Sequence, residues 1–293
     1  MSTQELPPIQ KIVAREAILG EGLAIRRALP SKERRMVGAW CFMDHLGPVG
    51  PEHTLDVGAH PHTCLQTFTW MIKGEVLHRD SLGYEQVIRP GQVNLMTAGR
   101  GISHTEDSLP SPEGMHTVQL WIALPEEHAN CEPAFDHYPD LPHWTQEGAE
   151  FTLLVGELAG HSAPTKVYSP LMAVDVQNQQ AQSIRLELQQ GFEYGILVLQ
   201  GQLQVDGKVF DSNEFAYLAM GRDKLLIECV ADTHFVLIGG APAKPVTMWW
   251  NFVDYDKSSI AQSQRDWENH SERFGTVVEG EHRRLVASTI PWK

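Results

Sequence analysis

The chain has 293 residues, 42% hydrophobic and 20% charged, enough apolar material to bury one large β domain or two ordinary domains. Its formal charge of −14 argues against a nucleic-acid surface, because phosphate contacts need clustered Lys and Arg. No apolar run approaches the roughly 18–20 residues that span a bilayer, so neither nucleic acid nor membrane is an expected partner.

Residues 1–30 mix polar and apolar side chains throughout and do not read as a secretory signal. The densest basic stretch, "SKERR" (31–35), reads as a solvated turn. Cys41, Cys64, Cys131 and Cys229 are scattered, with no CxxC spacing, which places the chain in a reducing cytoplasm. Cys64 reads as a small buried filler.

From about residue 65 onward, runs of five to eight residues rich in Val, Ile, Thr, Phe and Trp recur between Gly, Pro, Asn and Asp. "LQTFTWMI", "HTVQLWIAL", "YGILVLQG" and "HFVLIGGA" are examples, and "RPGQ", "VDGK" and "DSNE" mark turns. The fold class is all-β, barrel or sandwich, with helix expected only in the polar amphipathic run 258–274. An internal repeat is visible. Residues 68–99 parallel 194–221, each with an apolar strand ending in Gly (74, 201), a hairpin, and a second strand ending in Gly (99, 221). Two similar barrels follow: residues 1–135, and residues 136–293 with the C-terminal tail. The Pro-, His- and acid-rich stretch 124–144 reads as a surface linker.

Chemistry concentrates in the first barrel. In a strand, residues i and i+2 share a face. "GAHPH" therefore points His60 and His62 the same way, and "GISHTED" does the same for His104 and Glu106. Two such pairs on neighbouring strands converge three imidazoles and one carboxylate, a donor set for a first-row transition metal and not for calcium. The repeat serves as a control. The counted counterparts of His60, His62 and His104 in the second unit are Glu187, Gln189 and Leu226. The second barrel thus keeps the scaffold without the imidazoles.

Other histidines carry blander readings. His45 in "MDHLGP" reads as a hydrogen-bonded structural residue, and "HRD" (78–80) as a turn and salt-bridge element. Residues 128, 137, 143, 161, 234, 270 and 282 read as surface or linker histidines. Trp249 and Trp250 read as aromatic packing.

"FMDHLGP", "GAHPH", "GEVLHRDSLG" and "IRPGQVNLMTAGRGISHTE" closely resemble the pirin family of bicupins, over about residues 10–255. The resemblance implies two cupin barrels of the jelly-roll, or double-stranded β-helix, type. It implies one metal ion in the N-terminal barrel, held by His60, His62, His104 and Glu106. Iron(II) is the first choice, with nickel, manganese, cobalt, copper and zinc as alternatives. It further implies quercetin 2,3-dioxygenase-type cleavage of a flavonol-like substrate by O₂, with Glu106 as the base. The alternative it implies is a non-enzymatic, redox-sensitive regulator acting on a protein partner. The chain departs from the family pattern at "TCLQ", where Thr63, Cys64, Leu65 and Gln66 replace the usual Arg-Gly-Phe-Glu. Gln66 removes a charge near the metal, which bears on the redox potential and on the flavonol reading.

Overall fold

The computed structural model describes residues 7–19 and 22–292. The described residues form an all-β fold with one α-helix, Lys257–Glu268, inside the stretch where the sequence predicts helix. Asp256 caps that helix by accepting from the amides of Ser258 and Ser259. Among the described residues no helix is long and apolar enough to cross a membrane.

Two compact units form, and each is discontinuous in sequence. Among the described residues, one combines 16–19, 22–25, 46–139 and 244–292; the other combines 7–15, 26–45 and 140–243. This corrects the division at residue 135. The tail belongs with the first barrel, because Phe252, Ile260, Trp267, Phe274 and Val277 bury against Ala59 of that barrel. The expected linker is corrected as well. Ala134–Tyr138 is a strand, paired with Val93–Thr97 of the first barrel.

In the first unit a four-stranded sheet runs in the order Asp56–His62, Ile102–Leu109, Glu75–Asp80, Glu85–Ile88. It faces a second sheet that contains, in order, Ala134–Tyr138, Val93–Thr97, Leu65–Lys73 and Met115–Ala123. Asp56–His62 is buried on both faces from Val57 onward, unlike an ordinary half-exposed strand. Its inner face lines the barrel and its outer face is covered by the C-terminal segment, where Leu285 N–H donates to the Ala59 carbonyl at 2.8 Å.

The second unit shows the ordinary alternation. Gln182–Glu187 and Lys224–Cys229 pair regularly, with Ile184, Leu186, Leu225 and Ile227 buried inward. The counted counterparts of the histidines face out: the Glu187 side chain is 81% exposed and Leu226 45%. Counting from a glycine across loops of unequal length does not preserve strand parity, and one residue of offset exchanges the faces. The inward positions hold leucine and isoleucine, part of one apolar core with Phe151, Phe210 and Phe235.

Candidate metal centre

A β-bulge aims the site. On Ile102–Leu109, His104 and Glu106 are two residues apart. Their partners on Asp56–His62, His60 and Val57, are three apart. The extra residue turns Gly58 and Ala59 towards the C-terminal segment and leaves His60 facing inward. A side chain at position 58 would meet the Arg283 carbonyl at 1.7 Å, so only glycine fits there. On the other side, the pairing with Glu75–Asp80 sets Asp80 opposite His104 and His78 opposite Glu106. Cross-strand partners share a face, so His60, His78, Asp80, His104 and Glu106 all look into the barrel.

His60, His62 and His104 come together, each offering a ring nitrogen within 4.8 Å of the others. Ring centroids lie 5.1 Å (60 to 62), 4.3 Å (60 to 104) and 5.1 Å (62 to 104) apart. All three rings are buried, and Trp121 packs edge-on against His62 at 5.0 Å. In each ring Nδ1 is engaged. That of His60 donates to the Gly58 carbonyl at 2.8 Å, and that of His62 to the Asn251 carbonyl at 3.1 Å. His104 Nδ1 meets His78 Nδ1 at 3.3 Å. For His60 and His62, donation from Nδ1 to a carbonyl leaves Nε2 as the lone-pair atom.

Electrostatics agree. Burial holds His60 down to about 4 against a small upward pull from the Gly58 carbonyl. Burial and the neighbouring rings push His62 and His104 well below the usual histidine range. At neutral pH the three rings are uncharged, as metal ligation requires. Glu106 is half-buried, and burial, with repulsion from Asp107, pushes its carboxyl up to about 7. Glu106 is not within the cluster of three nitrogens, though it shares their face one bulge away.

These residues fit a transition metal. His104 Nε2 is fully buried with no hydrogen-bond partner, an arrangement that costs roughly 1–3 kcal/mol unless something ligates it. Three neutral nitrogens with a carboxylate beside them match a divalent first-row ion.

"TCLQ" follows His62 directly and is wholly buried. Thr63 Oγ1 donates to the Val253 carbonyl at 3.1 Å, and Cys64 adopts φ 57° at the turn between two strands. Gln66 Nε2 donates to Thr97 Oγ1 at 2.9 Å, tying Leu65–Lys73 to Val93–Thr97. His45 is buried and bonded to Asn213 at 2.8 Å, the structural role its motif predicts. Trp249 packs against Trp292 and Trp250 against Phe252. His234 is not a surface histidine: it pairs with buried Asp175 at 2.7 Å.

Sequence reasoning missed the ring's supports. "HRD" is part of a strand and not a turn; His78 Nε2 bonds Asp80 Oδ2 at 3.0 Å while its Nδ1 meets His104. The signal was present, since His78 and Asp80 carry the same i, i+2 spacing as the ligand pairs. The carbonyls of Gly58 and Asn251 carry no sequence signal at all.

Two cupin-type barrels, the first with a buried three-histidine cluster, define a bicupin with a candidate metal centre in its N-terminal barrel. Comparison with known proteins agrees: the Pirin model matches residues 22–122 and the Pirin C-terminal cupin domain model residues 173–275. The chain belongs to the pirin family. It is 53% identical to a Pseudomonas aeruginosa protein named "Putative quercetin 2,3-dioxygenase", over 97% of this chain and 91% of that one. A pirin-like protein of Caulobacter vibrioides is 34% identical over 92% of this chain and 96% of that one. A crystal structure titled quercetin 2,3-dioxygenase from Acinetobacter baumannii superposes with a TM-score of 0.94 at 45% identity, covering 97% and 96% of the two chains.

Proposed function

We propose that the chain is a metal-dependent dioxygenase that opens the ring of a flavonol or a similar enol or phenolic substrate with O₂. The observation that carries the reading is the convergence of three buried, neutral imidazoles, with His104 Nε2 left without a partner. His60, His62 and His104 would hold the ion, with Glu106 as the fourth donor, and iron(II) is the first choice. The names of the P. aeruginosa relative and the A. baumannii structure support the flavonol substrate. The four free cysteines support a reducing, cytoplasmic setting.

When bound, the ion supplies Lewis acidity toward an enol oxygen and redox chemistry with O₂. The chain's residues do the rest. The Nδ1 bonds of His60 and His62 to backbone carbonyls fix both rings before any substrate arrives. Glu106 would take the enol proton on a carboxylate oxygen. The buried surroundings of the rings, with Trp121 packed on His62, exclude water from the reacting centre.

The test is anaerobic loading with iron(II), then exposure to O₂ with quercetin, following flavonol bleaching, oxygen uptake and carbon monoxide release together. One metal per chain and turnover are expected, with metal lost in His60→Ala and His104→Ala. A chain that holds one iron and leaves quercetin unchanged would remove the flavonol assignment. Glu106→Gln with metal retained and full turnover would remove the base.

A further inference from the structure

His104 differs from the other two rings in what holds its Nδ1. His60 and His62 each face a backbone carbonyl, which only accepts, so their tautomer is settled. His104 faces the Nδ1 of His78, a ring atom that donates or accepts according to where its own proton sits. That choice is made one step further out. Asp80 is buried, with its Oδ2 against His78 Nε2 at 3.0 Å. Its Oδ1 is saturated by the amides of Leu82 at 2.9 Å and Tyr84 at 3.2 Å. A carboxylate only accepts, so His78 carries its proton on Nε2 and presents a lone pair at Nδ1. His104 must then donate from Nδ1, which leaves its Nε2 bare towards His60 and His62. Phe135 stacks on His78 at 4.4 Å and 14°, fixing the ring plane so that both bonds are made at once.

We propose that Asp80 and His78 are positioning residues that set the tautomer of His104 and thereby complete the three-nitrogen face. The metal-binding consequence rests on the metal-centre reading above, whereas the tautomer does not. Asp80→Asn provides a sharp discriminator. The two backbone amides hold the side-chain oxygen at the Oδ1 position, so the amide NH₂ replaces Oδ2 and donates to His78 Nε2. His78 then carries its proton on Nδ1, His104 Nδ1 must accept, and the His104 proton moves to Nε2, where it blocks ligation. Nearly isosteric and remote from the ligating atoms, the substitution should be as damaging as losing His78.

The experiment uses the full chain labelled with ¹⁵N-histidine, measured free of metal and then titrated with cobalt(II). Long-range ¹H–¹⁵N spectra should show His104 protonated at Nδ1 and His78 at Nε2 in the parent, and both reversed in Asp80→Asn. Cobalt(II) affinity should fall roughly 10–100-fold in Asp80→Asn and in His78→Phe, which keeps the stacking on Phe135 but offers no acceptor. His78→Asn, whose amide oxygen can stand in for Nδ1, should recover most of the loss. A parent His104 protonated at Nε2, as a doubly protonated His78 would impose, overturns the proposal. So does an Asp80→Asn protein with parental tautomers and parental affinity. A parent that takes up no cobalt(II) but shows the stated tautomers would sink the metal reading and leave the relay standing.

Discussion

His60 is held at about 4, and His62 and His104 well below their ordinary value, by burial. In the unfolded chain these rings titrate near 6.5. Between those limits the unfolded chain binds more protons than the fold, so stability is fully present above pH 6.5 and is lost as pH falls towards 4. The His60 shift alone corresponds to about 3 kcal/mol. Glu106 acts with the opposite sign: raised to about 7, it adds stability at low pH that is lost as pH rises through 7. Three rings outweigh one carboxyl between pH 6.5 and 4, so the metal-free protein should weaken steeply there. Urea unfolding at stepped pH checks this, and a flat profile from pH 7 to 5 would contradict it. Replacing Glu106 with Gln removes a carboxylate that the fold holds at a cost. The metal-free variant should therefore be more stable at pH 8, by up to about 3 kcal/mol, as its melting temperature would show. The imidazoles themselves were legible in sequence because i and i+2 spacing is a geometric rule. Their partners were not, since backbone carbonyls leave no mark on the sequence and "HRD" resembles a turn until its strand is paired.

At the scale of elements, the strand Asp56–His62 is the one on which the site turns. Its bulge lets His60 face in while Gly58 and Ala59 face out, and the outer side is where the C-terminal segment docks. Docking is polar as well as apolar. Arg283 pairs with Asp56 and with Asp107, and Ser103 Oγ donates to the Phe274 carbonyl at 3.0 Å. Gly58→Ala would drive a methyl into the Arg283 carbonyl, and nothing there is the movable end of a side chain. Overpacking of this kind costs about 1–3 kcal/mol, and it should also shift the Gly58 carbonyl that holds His60. A lower melting temperature together with weaker metal uptake is expected, with faster proteolysis within residues 275–290. Unchanged metal affinity would show that the outer contact does not steady the ligand. Alternating strands such as Lys224–Cys229 could be read straight from their pattern. A strand buried on both faces offers no alternation, and its bulge is set by pairing that only the fold reveals.

For the whole molecule, the notable feature is that each end of the chain completes the barrel farther from it in sequence. Gln10–Val13 pairs with Glu214–Leu218, and Ile9 belongs to the second barrel's core. Residues 244–292 group with the first barrel. The repeat identified two barrels correctly, but a linear boundary could not show this exchange, because an apolar terminal strand or helix does not state which core it covers. The exchange separates two truncations that a linear reading would rank the other way. Removing residues 1–14 takes a strand from the second barrel and leaves every residue around His60, His62 and His104 in place. Removing residues 244–293 takes away the Asn251 carbonyl from His62, the Val253 carbonyl from Thr63, and the apolar cover on Ala59. The N-terminal deletion should therefore keep its metal, with faster amide exchange confined to strands such as Glu214–Leu218. The C-terminal deletion should lose the metal although all four proposed ligands remain in the chain. Elemental analysis and hydrogen exchange on the two variants decide the matter. A C-terminal deletion that binds one metal as tightly as the parent would show that the first barrel holds its site alone.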